Sequence, residues 1–211
     1  TEKRVNLSLT GGATPKRMYE IMAPFVRGKE YLNDVHYYNF DEISIKDKRY
    51  GLTMNTLKNQ FYDNAELKDE NIHELNTENY MHYDELLLEA GGLDLILCGI
   101  GADGHFCGNI PGTTKFGYET YSVDVKEGTE MFSALEKLIG EKPGGKAVTF
   151  GPKTVLGAKQ VILFANGKAK ASIVKKALEG DITENVPSSV LRLHPNLTVI
   201  LDKEAASELG E

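Results

Sequence analysis

The strongest constraint on this chain is an alternation. Short apolar runs of strand character are separated by segments with a helical period. The first run is Val5-Asn6-Leu7-Ser8-Leu9, followed by a glycine turn and an amphipathic helix over residues 14–26, capped by Thr14 with Pro15 at the first helical position. Further strands are expected at residues 35–40, 93–98, 147–150, 160–165 and 197–201. Helices are expected at 50–62, 80–90 and 168–178, with a short helix after the last strand. Leu93-Asp94-Leu95-Ile96-Leu97-Cys98 is the most apolar run and reads as a central strand. Strands alternating with helices build right-handed βαβ units. The expected fold is therefore α/β, a Rossmann-like three-layer α/β/α arrangement around a mostly parallel sheet, with all 211 residues in a single domain. Residues 126–146 are the least regular and read as a helix between loops, in the manner of a lid.

Composition enters where it narrows the ligand. The chain carries a net charge of −7 and no dense Lys/Arg run, which argues against a nucleic-acid partner. An anion would have to be held locally, by backbone amides and one or two cations. No apolar run reaches membrane-spanning length, so no membrane partner is expected. Cys98 and Cys107 lie in or beside one glycine-rich segment, which fits a reducing, cytoplasmic compartment better than a disulfide framework. His36, His73, His82, His105 and His194 are scattered, and neither cysteine has ligand-like spacing to a histidine, so no metal and no cofactor is expected. The chain opens on Thr1, without an initiator Met, which predicts a trimmed N-terminal segment. A homo-oligomer is compatible with the sequence, which does not fix the oligomeric state.

In open parallel sheets ligands bind beyond the carboxyl ends of the strands. After the first strand come Thr10, Gly11, Gly12, Ala13 and Thr14. Glycine backbone N–H groups, two hydroxyls and a helix N-terminus suit a phosphate; a tight turn into a capped helix suits the same residues. The Lys-Ser/Thr pair of a Walker loop is missing. After the second strand, Asp41 and Glu42 supply either a general base or a solvated acidic turn. After the central strand comes Gly99-Ile100-Gly101-Ala102-Asp103-Gly104-His105. Its first six residues match a dinucleotide fingerprint, but Phe106-Cys107-Gly108-Asn109-Ile110-Pro111-Gly112 continues as loop and not as helix, which excludes a nicotinamide site. What remains is Asp103 two residues before His105, an arrangement suited to acid/base work. After residues 160–165, Lys168 and Lys170 open a helix, where an anion would offset their unfavourable dipole position.

Thr10-Gly-Gly-Ala-Thr-Pro15, Asn39-Phe-Asp-Glu42, Gly99-Ile-Gly-Ala-Asp-Gly-His105 and Leu191-Arg-Leu-His-Pro195, in this order, resemble the glucosamine-6-phosphate deaminase/isomerase and 6-phosphogluconolactonase family. The resemblance spans essentially the whole chain, and within the family it is nearest to bacterial proteins of glucosamine-6-phosphate isomerase type. It implies a phosphorylated sugar as ligand. Thr10, Gly11, Gly12, Ala13, Thr14, Glu42 and Lys170 would form the substrate-binding set, with Lys170 the phosphate lysine in preference to Lys168. Asp41 would move a proton between C1 and C2 of the open-chain sugar. His105, with Asp103 beside it, would open the pyranose ring; in the lactonase branch the same histidine would activate water against an ester. Three departures stand out. Deaminases carry Asn-Glu-Pro where this chain has Asn109-Ile110-Pro111. Lactonases carry Ser-Leu-Phe-Pro-Gly, of which only Pro111-Gly112 is shared. The deaminase lid arginine has no counterpart in residues 126–146. A deaminase/isomerase is the first reading, a lactonase the second, and a non-catalytic sugar-phosphate sensor the third.

Overall fold

A computed structural model describes residues 4–210. Its strands are β1 (Val5–Leu9), β2 (Val35–Asn39), β3 (Asp41–Ile45), β4 (Ile72–His73), β5 (Leu95–Gly99), β6 (Tyr121–Asp124), β7 (Pro143–Thr149), β8 (Val161–Ala165) and β9 (Leu197–Leu201). Its α-helices are α1 (Ala13–Val26), α2 (Leu52–Leu57), α3 (Tyr83–Glu89), α4 (Glu130–Ile139), α5 (Pro152–Leu156) and α6 (Ala171–Glu179). Six strands form one sheet in the order β4-β2-β1-β5-β8-β9, with every neighbouring pair parallel.

Side-chain alternation divides the interior between the two faces of this sheet. On one face Leu9, Tyr37 and Leu97 pack with Tyr19 of α1 and Leu57 of α2. On the other, Ile96 and Cys98 pack with Leu87 of α3, Val155 of α5 and Val174 of α6. Each large apolar side chain so buried contributes on the order of 1.5–3 kcal/mol. Asn6 falls on the second face and is buried. Its amide donates to the carbonyls of Ala90 (2.9 Å) and Gly92 (2.7 Å), which satisfies the carboxyl end of α3. Three layers result, as the alternation of elements requires.

From β1 the chain winds outward through β2 to β4, then returns to β5 on the other side of β1 and continues to β8 and β9. The strand order therefore reverses between β1 and β5, and a crevice is expected outside their carboxyl ends.

The structure corrects the sequence-based reading at several points. Asp41 and Glu42 do not form a turn: they open β3, which leaves the main sheet at Phe40 and joins a separate antiparallel sheet, β3-β7-β6. The strand expected at 147–150 is part of β7 in that second sheet. β6 was not expected at all, because Tyr121-Ser122-Val123-Asp124 is short and half-exposed. The helix expected at 50–62 changes pitch at its middle, and residues Lys58–Tyr62 form a π-helical turn. Asp202 replaces the expected terminal helix with turns, its carboxylate accepting from Ala205 N–H (2.7 Å) and Gly167 N–H (2.9 Å). Residues 126–146 contain α4 inside the β6–β7 connection. Its hydrogen-bonding cap is Thr129 on Phe132 N–H (3.2 Å), and a Lys48–Glu141 ion pair (3.2 Å) ties its end to the stretch after β3. Among the described residues no helix is long and apolar enough to cross a membrane.

Candidate active site

The turn after β1 is shaped by Gly12, at φ +120° and ψ −170°, a conformation L side chains rarely adopt. Gly12, not Thr14, is the N-cap of α1, so the capping role expected of Thr14 is not realised. Glycine wins the cap position because it alone allows so sharp an entry into the helix. Ala13 and Thr14 occupy the exposed first turn of a 14-residue helix, where free N–H groups and the positive end of the dipole favour an anion. Thr10 turns inward: its hydroxyl donates to Gly11 O (3.1 Å) and its carbonyl accepts from Tyr19 (2.6 Å). Gln60, from the π-helical turn, clasps Gly12 on both sides. Its amide donates to Gly12 O (3.0 Å) and accepts from Gly12 N–H (3.3 Å).

Asp41 is carried past the carboxyl end of β2 by the break between β2 and β3. Asn39, fully buried, fixes that break by donating to Asp41 O (2.8 Å) and Leu75 O (3.0 Å) and accepting from Leu75 N–H (2.8 Å). The Asp41 carboxylate accepts from the Thr53 hydroxyl at 2.8 Å. Burial raises its pKa to about 6, against the opposing pull of the Thr53 hydroxyl and of His105. Glu42, next along, points the other way. Its carboxylate is buried and accepts from the backbone N–H groups of Ile43 (2.9 Å), Thr53 (2.7 Å) and Met54 (3.1 Å). Burial pushes it up to about 8, with the Thr53 and Met54 bonds pulling down. Glu42 thus sits at the N-terminus of α2, with its oxygens committed to backbone donors.

The loop after β5 folds back on itself. Gly101 N–H donates to His105 O (2.8 Å), and Gly104 N–H to Gly101 O (3.0 Å). Gly101 must lack a side chain because the His105 ring lies over it: an added Cβ would sit 2.1 Å from Nδ1. Asp103 Oδ1 stands 2.6 Å from His105 Nδ1 and also accepts from His105 N–H (3.1 Å). Partial burial would raise Asp103, but the His105 backbone bond, positive field and ring bond outweigh it and hold its pKa below the ordinary carboxylate range. An ionised carboxylate only accepts, so Nδ1 carries the proton and Nε2 is the basic nitrogen. Ile100 and Phe106, both buried, anchor the loop on either side while the Asp103–His105 pair stays roughly half exposed.

Two further links join the loop to the second sheet, one of them at the strand partner of Asp41. Asp41 pairs across the second sheet with Thr149, whose hydroxyl accepts from Gly108 N–H (2.8 Å). Buried Asn109 donates to Phe150 O (2.8 Å) and accepts from the Tyr121 hydroxyl (3.3 Å). Sequence reasoning missed Thr53, Gln60, Thr149 and Tyr121. Their signal lies in long-range pairing, and only Thr149, at a strand end, carried a local hint. Lys170 is the N-cap of α6 beyond β8, the strand beside β5, so it joins the same carboxyl edge. Cys107 is buried near Asp41 and Cys98, with φ +49°, and burial pushes its thiol well above the ordinary range, which does not suit a nucleophile. Among the described residues no group of three or more His, Cys, Asp or Glu is placed to hold a metal.

The structure therefore brings together Ala13, Thr14, Asp41, Asp103, His105 and Lys170 along one sheet edge, and assigns Glu42 and Thr10 to its support. Such an edge gathers helix-end amides, a lysine and acid/base side chains at the switch point of an α/β sheet. The family described as glucosamine-6-phosphate isomerases/6-phosphogluconolactonase matches residues 1–200, and the chain belongs to it. It is 36% identical over 214 residues to a glucosamine-6-phosphate deaminase of Clostridium botulinum (strain Kyoto / Type A2), covering 97% of this chain and 86% of that one. The solved structure of a monomeric glucosamine-6-phosphate deaminase is similar at a TM-score of 0.80 and 29% identity, covering 98% of this chain and 88% of that one. The 6-phosphogluconolactonase from Trypanosoma cruzi shares the fold, with a TM-score of 0.73 at 20% identity over 98% of this chain and 85% of that one.

Proposed function

We propose that this protein is a glucosamine-6-phosphate deaminase/isomerase, converting glucosamine 6-phosphate and water to fructose 6-phosphate and ammonia. The phosphate rests on the N–H groups of Ala13 and Thr14 and the Thr14 hydroxyl, with Lys170 as the cation. His105 Nε2 takes the proton of the anomeric hydroxyl and returns it to the ring oxygen, opening the ring; Asp103 stabilises the imidazolium that forms between the two events. Asp41 then removes the C2 proton and delivers it to C1 while one proton passes from the ammonium to O1, leaving a C1 hydroxyl and a C2 iminium that water converts to the ketone with loss of ammonia. A base with a pKa near 6 is ionised at neutral pH yet still able to return its proton, which is what a shuttle requires. Ile110 leaves the Asp103–His105 pair to carry ring opening without a second carboxylate. Both cysteines are unpaired and buried, in keeping with a cytoplasmic setting. Every group invoked comes from one chain, so a homo-oligomer is not needed for the chemistry.

The observation that carries this reading is that Asp41, beyond β2, and the Asp103–His105 pair, beyond β5, leave the same carboxyl edge of one sheet, with β1 and its glycine turn between them. The test is ammonia release from glucosamine 6-phosphate, with a lactone phosphate assayed in parallel. Turnover of the amino sugar that disappears in Asp41→Asn is expected. Lactone hydrolysis with no ammonia release, or binding of phosphosugars without turnover, would overturn it.

A further inference from the structure

One helical element touches both halves of the site. Residues 53, 56 and 60 have the i, i+3, i+7 spacing that places side chains on one helix face. Thr53, the second residue of α2, donates its hydroxyl to Asp41 Oδ1 at 2.8 Å while its N–H donates to Glu42 at 2.7 Å. Thr56 packs against the turn after β1 so closely that a Cβ on Gly11 would lie 2.8 Å from its methyl. Gln60 then clasps Gly12 through its paired hydrogen bonds to the Gly12 carbonyl and N–H. It does so from a π-helical turn, marked by Asp63 N–H donating to Lys58 O (3.1 Å). Such turns are rare and concentrate at functional sites. Glu42 caps the start of the same helix, so β3, α2 and the phosphate turn form one hydrogen-bonded frame.

We propose that α2 and its π-helical extension align the site, with Thr53 positioning the Asp41 carboxylate and Gln60 positioning the phosphate turn. The inference rests on the deaminase reading. Thr53 offers one donor at fixed distance, selecting one rotamer of Asp41 and leaving the second oxygen for the substrate. Gln60 satisfies both polar groups of Gly12, which locks the backbone there and leaves the next N–H groups, those of Ala13 and Thr14, for the ligand. Asp41 otherwise faces His105 and Cys107 from the loop after β5, and Glu42 beside it on β3. Thr53 is the group among these that stabilises the carboxylate without carrying charge.

The test is steady-state kinetics with glucosamine 6-phosphate on the full chain, with thermal melts to confirm folding. Thr53→Val should lower kcat/KM about tenfold to a hundredfold, the kinetic equivalent of one hydrogen bond to a charged group. The acid limb of its pH profile should move to higher pH, and Thr53→Ser should restore both. Gln60→Met should raise KM about tenfold with kcat retained. Gln60→Glu should raise KM further, because it brings negative charge beside the phosphate. A folded Thr53→Val with an unmoved acid limb, or a folded Gln60→Met with unchanged KM, overturns the proposal. If Thr53→Val does not fold, the Gln60 pair decides alone, read also through inorganic phosphate as a competitive inhibitor. Asp41→Asn separates the two levels. Loss of activity there with wild-type behaviour in both α2 variants refutes the alignment role only, whereas full activity in Asp41→Asn refutes the deaminase reading.

Discussion

Two glycine-rich turns leave neighbouring strands at the same sheet edge, yet they are built for opposite purposes. The turn after β1 runs straight into α1, so its glycine serves the backbone: Gly12 bends the chain and the helix N-terminus presents amides. The turn after β5 enters no helix. It coils until Gly101 N–H meets His105 O, and its glycine makes room for a side-chain pair. The first offers fixed partial charge, which suits an anion; the second offers an imidazole paired with a carboxylate, which suits proton transfer. Glycine content alone does not distinguish the two. The element next in the chain, helix or loop, does.

The comparison can be broken most severely at Gly101. Gly101→Ala would drive a methyl into the His105 ring, and the Asp103–His105 geometry could not survive. Turnover should fall about 100-fold to 10,000-fold, the range of a positioned acid/base group, while inorganic phosphate still competes for the first turn. Wild-type turnover in that variant would show that the close approach is irrelevant. Asp103→Asn is milder. Losing the charged partner of Nδ1 should reduce kcat about tenfold to a hundredfold, as for other orienting partners of histidine, and single-turnover ring-opening rates would reveal it.

Gly12→Ala probes the other turn. Strain at φ +120° should cost about 1–3 kcal/mol. KM for the sugar phosphate should rise with kcat little changed, the reverse of the Gly101 pattern. A fall in kcat with unchanged KM would erase the distinction between the turns. The smallest effect concerns stability at Asp41. Its folded pKa of about 6 lies above the ordinary value near 4, so between those values the folded state binds more protons than the unfolded state. Its contribution to stability is therefore lost as pH rises through that window. Asp41→Asn should be more stable than wild type above pH 6 by on the order of 2 kcal/mol, with the advantage vanishing below about pH 4. Melts across pH would check the sign.

Sequence reading went furthest where local chemistry and topology agree. β5 and β8 are continuous apolar runs and β1 alternates Val5, Leu7 and Leu9 with polar residues, each closed by glycine or turn residues, so their ends, and the residues Gly12, His105 and Lys170 beyond them, could be located from the chain alone. The second sheet could not. In β3 the residues Asp41-Glu42-Ile43-Ser44-Ile45 look like an acidic turn because a charged residue occupies the buried position of Glu42. Its burial is made tolerable by three backbone donors, two of them eleven and twelve residues away. Thr53 and Gln60 were illegible for the same reason: each acts on a partner distant in sequence, and nothing in its own neighbourhood marks it, whereas Thr149 had only its place at a strand end to mark it.

The most direct measurement is a structure of the protein with an open-chain amino-hexitol phosphate, an analogue that needs no ring opening and cannot turn over. The expected result is a phosphate on the Ala13 and Thr14 amides near Lys170, C1 and C2 beside the Asp41 carboxylate, and the C5 hydroxyl toward His105 Nε2. A phosphate seated away from α1, or a carbon chain that reaches neither Asp41 nor His105, would contradict the convergence of these three strand ends on one substrate.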